Sequence, residues 1–323
     1  MADRPDRRTF IRNSLAVPAA AALALEAGRN PAAAQAAGAP APMDTAARGR
    51  IGDIEVSRLL LGGNLLTHYT HSRDLKYVYN LAAHYNTEEK ILDTLAIAEQ
   101  HGINTLVVHT VPRTLAILKR YRQQMGGKIQ WIICPTAPVE DDMSAYAKQV
   151  EEIVGDGTEA VYLWGVHSDR LAAQGRADLM ARAVAIAKDL GVPSGVGAHD
   201  LKAIVACEEH GVEADFYIKT LHHHNYPSGP KPEELTQPYN EIPGYWCQDP
   251  QAVIDFMKSV EKPWIAFKVM AAGAIPPKDA FQYVFNAGAD HVLAGMFDFE
   301  IPEDAAILRD ALSAVNRTRP WRS

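Results

Sequence analysis

The sequence predicts an α/β chain closed into a (β/α)8 barrel of the TIM type, with a short N-terminal hairpin and long loops after strands one and six. Three observations carry that expectation. Eight short apolar segments alternate with eight amphipathic helical stretches in one unbroken run. Several helical stretches end in His101-Gly102, Leu190-Gly191 or His210-Gly211, pairs that supply a left-handed stop just before the next strand. The first strand is followed by Gly62-Gly63-Asn64-Leu65, which lacks the remaining glycines of a GxGxxG loop, so a doubly wound open sheet has no phosphate loop to build on.

Taken in order, Gly49 to Ser57 alternates around Gly52-Asp53 and reads as a hairpin. Strands are expected at Leu59–Gly62, Asn104–His109, Ile129–Cys134, Ala160–Val166, Ser194–Ala198, Phe216–Leu221, Trp264–Lys268 and His291–Gly295. Helices are expected near Thr87–His101, Pro112–Gln124, Met143–Val154, Asp178–Leu190, Lys202–His210, Asp249–Val260, Pro277–Ala287 and Pro302–Val315. The stretches Leu65–Asn86 and His222–Gln248 read as the two long loops, the second rich in Pro, Tyr and Trp like an ordered lid.

Ahead of the barrel, Arg7-Arg8-Thr9-Phe10-Ile11-Arg12 precedes an alanine-rich apolar stretch, Ser14 to Leu25, too short to span a bilayer. With Ala34-Gln35-Ala36 as a small-residue cleavage site, residues 1–36 resemble a twin-arginine (Tat) signal peptide. The resemblance implies recognition by the Tat export machinery and delivery, already folded, to the periplasm or another exported location. Residues 37–48 read as an Ala/Pro/Gly linker and 49–320 as a single barrel domain.

The net charge is −7, and the first 36 residues carry five Arg against two Asp and one Glu, so the remainder is more acidic still. Without a basic run the chain is a poor nucleic-acid binder, and no segment is apolar enough for a membrane span. Three cysteines, Cys134, Cys207 and Cys247, make no disulfide framework; Cys134 and Cys207 read as packing residues, and Cys247, at the end of the lid loop, reads as idle in preference to a metal ligand.

In a barrel of this class chemistry sits at the C-terminal strand ends. Those ends carry Asn64, His109, Cys134, His167, His199, His222, His223, His224, Lys268 and Asp298, and six of the 12 His fall there. Imidazoles converging from several strands suggest a divalent metal held by His167, His199 and one of His222 or His224. Lys268, between Trp264-Ile-Ala-Phe267 and Val269-Met-Ala-Ala-Gly273, is an ammonium in apolar company, whose lowered pKa suits base, electrophilic or Schiff-base work. With His109 and His167 it forms the expected catalytic set. Asn64, Trp246 and Asp298 are expected to bind substrate.

The segment Ile51 to Gly63, a hairpin and first strand ending in Gly-Gly, resembles the opening of the aldo-keto reductases, and His101-Gly-Ile-Asn104, Ala160 to His167 and Gly195-Val-Gly-Ala-His199 follow that superfamily's cadence. The marks Gly62-Gly63-Asn64, Ala266-Phe-Lys268 and Gly295-Met-Phe297 more closely resemble a group of Tat-exported, uncharacterised bacterial relatives of those enzymes. The family implies hydride transfer from NADPH with an Asp–Tyr–Lys–His tetrad. Here only the His is matched, as His167; Val107-Val108-His109-Thr110-Val111 and Cys134-Pro135-Thr136 stand where the Asp, Tyr and Lys are expected. Asp298, Glu300, Glu303 and Asp304 stand where the family places basic residues for the 2′-phosphate, which sets NADP below a metal as the expected cofactor.

Three functions compete on this reading. The first is an exported isomerase, epimerase or lyase moving a proton next to the carbonyl of a sugar or keto acid, with metal assistance. The second is an aldo-keto-reductase-like oxidoreductase with a tightly bound nicotinamide cofactor. The third is a non-catalytic sugar-binding barrel. In each the partner is a small molecule.

Overall fold

The computed structural model describes residues 48–323. The export signal and nearly all of the linker read from the sequence lie outside the described residues. The chain opens with an antiparallel hairpin, β1 (Arg48–Ile51) and β2 (Ile54–Ser57), turning at Gly52 with φ of 57°. Eight strands follow: β3 (Leu59–Gly62), β4 (Thr105–His109), β5 (Gln130–Cys134), β6 (Ala160–Leu163), β7 (Ser194–Ala198), β8 (Phe216–Thr220), β9 (Trp264–Phe267) and β10 (His291–Ala294). All pair in parallel in chain order, and β10 closes on β3 with Val292 opposite Leu59. The (β/α)8 barrel expected from the sequence, with its hairpin, is the fold of the described residues.

Among the described residues ten helices surround it: α1 (Lys76–Tyr85), α2 (Glu88–Gln100), α3 (Pro112–Gln124), α4 (Ser144–Gly155), α5 (Gly165–Ala173), α6 (Ala177–Asp189), α7 (Leu201–Glu209), α8 (Pro250–Met257), α9 (Pro277–Asn286) and α10 (Ile301–Ser313). Side chains caps several of them: Thr87 accepts from Lys90 N, Asp200 from Lys202 N and Asp249 from Ala252 N. Gly102, Gly191 and Gly211 hold φ of 81°, 82° and 65°, the left-handed stops that the sequence pairs announced. Among the described residues no helix is long and apolar enough to cross a membrane.

Two helices depart from the sequence reading. The loop Leu65–Asn86 contains α1, where Val78, Leu81, Ala82 and Tyr85 recur at helical spacing, a stripe that the sequence reading passed over, although only Ala82 of the helix is buried. The strand expected to run to Val166 stops at Leu163, and Trp164 turns the chain into α5. Apolar residues continue through the turn, and a continuous apolar run does not distinguish strand from helix.

Alternate strand residues divide the core. Leu60, Val107, Ile132, Ala160, Phe216, Ile218, Ile265 and Leu293 fill the barrel interior together with Ile51 and Val56 of the hairpin. The hairpin thereby plugs the N-terminal mouth, and the strands' other faces pack under the helices in a larger cluster. Gly195 on β7 leaves room for the Phe216 ring; a Cβ there would stand 2.6 Å from it.

The C-terminal tail locks the N-terminal ends of β9 and β10. Asp290 is fully buried and accepts from Arg319 Nη1 at 2.7 Å, Arg317 Nη2 at 3.2 Å and the Trp264 and Arg322 amides at 2.9 Å each. Arg319 also donates to the carbonyls of Met257, Val260, Lys262 and Gly288. Replacing Asp290→Ala strands buried guanidinium charge, and a loss of about 3–5 kcal/mol is expected in denaturant unfolding. A loss below about 1 kcal/mol would show that the tail does not contribute to the lock.

Candidate functional site

With the N-terminal mouth plugged, the C-terminal strand ends border a cavity of about 90 Å³, room for roughly six water-sized groups. Its floor is Tyr162, Gly197 and Phe267. Gly197 is bare for a reason: a Cβ there would meet the Tyr162 ring at 3.0 Å and the Gly165 amide at 3.2 Å. Asn64 after β3, Trp164 and Gly165 after β6, His199 after β7 and Lys268 after β9 form the walls. Tyr69 and His71 come from the β3–α1 loop, Tyr239 and Glu241 from the lid between β8 and α8.

Lys268 takes a left-handed φ of 57°, and Ala271 and Ala272 follow with 46° and 55°. Such backbone costs about 1–3 kcal/mol per residue and persists only where the surroundings enforce it. Its Nζ lies 5.3 Å from the Trp246 ring centroid, 5.9 Å from Tyr239 and 6.0 Å from Phe267. Burial among these rings lowers its pKa to about 7, against the opposing pull of Glu241 and Asp169. Among the described residues, Nζ has no hydrogen-bond or ion-pair partner.

His199 faces Lys268 across the cavity mouth. Its Nδ1 donates to Asp169 Oδ2 at 2.8 Å, while Asp169 Oδ1 accepts from the amides of His199 and Asp200 at 3.0 Å each. Lys219, buried under β8, donates to the His199 carbonyl at 2.8 Å. Burial, reinforced by the charge of Lys268, lowers the His199 pKa to about 4, so the ring is neutral at physiological pH. A second pair spans the two long loops: His71 Nδ1 donates to Glu241 Oε1 at 2.6 Å. Burial lowers the His71 pKa despite that carboxylate. Burial pushes Glu241 upward, but His71 and Lys268 bring it below the usual carboxylate value. The pair is therefore neutral imidazole against carboxylate.

The sequence-predicted residues divide. Lys268, His199 and Asn64 line the cavity. Trp246 is fully buried behind it, against Lys268 and His71. His109 lies outside the lining, edge-on to Tyr69 at 5.7 Å, with its pKa lowered by burial. His167 is in the first turn of α5, not at a strand end, and its ring packs against Trp164. Asp298 pairs with Lys90 Nζ at 3.0 Å and accepts from the Tyr85 hydroxyl at 2.7 Å.

The metal expectation is corrected. Among the described residues no group of three His, Cys, Asp or Glu could hold a metal ion. His222 Nε2 accepts from the Trp246 amide at 2.9 Å and its Nδ1 donates to the His223 carbonyl at 2.8 Å, which occupies both ring nitrogens. His224 Nε2 donates to the Cys247 carbonyl at 2.7 Å, His199 is committed to Asp169, and His167 has turned away on α5. The His222–His224 run stitches the lid down. The three cysteines are buried and unpaired.

Asp169, His71, Tyr69, Tyr239 and Glu241 were not singled out from sequence. Asp169 follows His167 by two positions, a spacing meaningful only once α5 is known to begin at Gly165. The others come from irregular loops with no periodicity to read.

No family model matches the sequence, and no curated protein matches it. Solved structures do. A protein from Pseudomonas aeruginosa named for the aldo-keto reductases is similar at a TM-score of 0.56 and 16% identity, over 82% of this chain and 95% of its own. An aldo-keto reductase from Bacillus halodurans in its holo form is similar at a TM-score of 0.52 and 11% identity, over 85% of this chain and 99% of its own.

The fold is similar to that of these aldo-keto reductase structures.

This likeness also corrects the ranking of a metal above a nicotinamide cofactor. The aldo-keto reductase fold includes a holo-form member, and the acidic group blamed for repelling a phosphate is weaker than its formal charge. Asp298 is neutralised by Lys90. Asp304, desolvated and beside Glu300 and Glu303, has its carboxyl raised to about 7.

The lysine makes a stability prediction. Its folded pKa of about 7 lies below the ~10.4 of an unfolded lysine. Between those values the unfolded chain binds the extra proton, so stability rises with pH across that window. Lys268→Met should therefore melt at a higher temperature than the unmodified protein below pH about 7. That advantage should shrink as pH rises toward ~10. Melting curves that stay parallel and do not converge would contradict the lowered pKa of the amine.

Proposed function

We propose that the protein is an aldo-keto-reductase-like oxidoreductase acting on a small polar carbonyl or hydroxyl compound, with Lys268 as its proton donor. The observation that carries the reading is the Lys268 ammonium, without a hydrogen-bond or ion-pair partner among the described residues, facing a small cavity and held near pKa 7. A group titrating near the working pH is an effective acid and an effective base. The barrel fold shared with aldo-keto reductases favours carbonyl reduction over the isomerase or lyase reading, which keeps the same proton-transfer group but finds among the described residues no ligand group for the metal that was to polarise the carbonyl.

The residues present would suit the nicotinamide end of a dinucleotide once the β3–α1 loop and the lid part, because the ring with its carboxamide exceeds the roughly six water-sized groups that the cavity of about 90 Å³ holds. Phe267 and Tyr162 offer flat faces, Gly197 leaves the floor bare, and the Asn64 amide can pair with a carboxamide. When bound, that cofactor supplies or accepts the hydride. In reduction, Lys268 delivers a proton to the substrate oxygen. Neutral His199, fixed by Asp169 and Lys219, presents its remaining nitrogen as a hydrogen-bond partner for a substrate hydroxyl. Tyr69, His71, Tyr239 and Glu241 close the two loops over the cavity and limit water.

The test is nicotinamide oxidation in the presence of a panel of short aldehydes, keto acids and sugars. Lys268→Met should lower kcat by about 10²–10⁴ with the cofactor still bound. The rate of reduction should fall as pH rises through about 7, because the ammonium is the donor; alcohol oxidation should rise over the same range. Proton exchange next to the carbonyl with no nicotinamide turnover would replace this reading with the isomerase one.

We further propose that residues 1–36 act as a Tat signal that delivers the folded barrel to the periplasm. Arg7→Lys with Arg8→Lys should retain the protein in the cytoplasm, as read by fractionation. Unchanged export would remove the signal from the account.

A further inference from the structure

We infer that Lys268 is a covalent capture site for small aldehydes, forming a reversible imine within the cavity independently of any hydride donor. Four observations converge on it. The Nζ has no hydrogen-bond or ion-pair partner among the described residues, whereas Lys219, the fully buried lysine of β8, is satisfied by the His199 carbonyl and by the Thr220 carbonyl and hydroxyl. Lys268 lines the cavity, so the amine is reachable. The strained turn through Lys268, Ala271 and Ala272 fixes its approach. The rings of Trp246, Tyr239 and Phe267 keep water from the amine.

The neutral fraction of the amine follows from the same surroundings. The groups facing it are Glu241 and Tyr239 from the lid, His71 from the β3–α1 loop, His199 after β7 and Asp169 of α5. The two imidazoles are neutral, and burial of the amine outweighs the two carboxylates. About half the molecules therefore carry a free amine near pH 7.

The condensation balances without a further reagent. The Nζ lone pair attacks the carbonyl carbon, and the proton released from nitrogen passes to the oxygen, giving a carbinolamine. That hydroxyl takes a second proton and leaves as water while the nitrogen lone pair forms the C=N bond. The overall change is aldehyde plus amine to imine plus water. His71 and Glu241, hydrogen-bonded to each other, line the same cavity and supply groups that can exchange these protons. A cavity of about 90 Å³ admits an aldehyde of roughly six heavy atoms or fewer, so glycolaldehyde fits and an aromatic aldehyde with a bulky substituent does not.

The experiment is borohydride trapping of the unmodified protein with glycolaldehyde, followed by intact mass and peptide mapping. One adduct is expected, at Lys268. At neutral pH it should exceed any surface lysine by on the order of a thousandfold, the ratio of neutral fractions. Its yield should rise through pH about 7 and then level off. Label spread over surface lysines, or none on Lys268, overturns the inference, and this mapping needs no variant. Lys268→Arg, checked by its melting curve, should lose the adduct; retention of it would equally overturn the proposal. Because no nicotinamide is present, the outcome is separate from the reductase reading. A protein that captures glycolaldehyde but reduces nothing keeps this inference, and one that reduces carbonyls without forming the adduct loses it.

Discussion

The feature on which the rest of the molecule depends is the closure of β10 onto β3. A parallel sheet with two free edges would present unpaired backbone along both, whereas a closed one satisfies every strand laterally and leaves only the strand ends to be managed. At one end the hairpin inserts Ile51 and Val56 into the barrel interior, and the tail folds Arg317 and Arg319 onto Asp290. That end is sealed by apolar packing and by paired charge. Everything unsealed is displaced to the other end, where β3, β6, β7 and β9 deliver Asn64, Trp164, His199 and Lys268 to one cavity.

Within that cavity desolvation outweighs Coulomb attraction. Lys268 has two carboxylates near enough to stabilise its charge, and its pKa still falls, because Trp246, Tyr239 and Phe267 exclude the water that an ammonium needs. The two carboxylates are also partly spent elsewhere: Asp169 holds the ring and two amides, and Glu241 holds His71. A lysine that must carry its own desolvation destabilises the fold, and such a cost persists where chemistry depends on it.

Much of this was legible in the sequence, and the exceptions share a cause. Strand positions were readable because buried parallel strands are short apolar runs, and Leu59–Gly62 and Ser194–Ala198 came out with the expected bounds. Lys268 stood out as a charge in apolar company. The histidines misled. His222, His224 and His167 clustered near strand ends by number, yet each ring's direction depends on where a strand stops and a helix or lid begins. One turn at Trp164 removed His167 from the cavity and brought Asp169 beneath His199.

The sequence by itself determined the alternation of strands and helices, the barrel class and the exposed position of strand-end chemistry, since these follow from local periodicity and from turn residues whose preferences act over a few neighbours. Only the tertiary structure decided which polar groups meet. The Asp169–His199 and His71–Glu241 pairs join residues 30 and 170 positions apart, and the lowered pKa of Lys268 is created by rings from the lid and from β9 that no local pattern links. Pairing and desolvation are properties of the assembled cavity, so they exist only after the chain has closed.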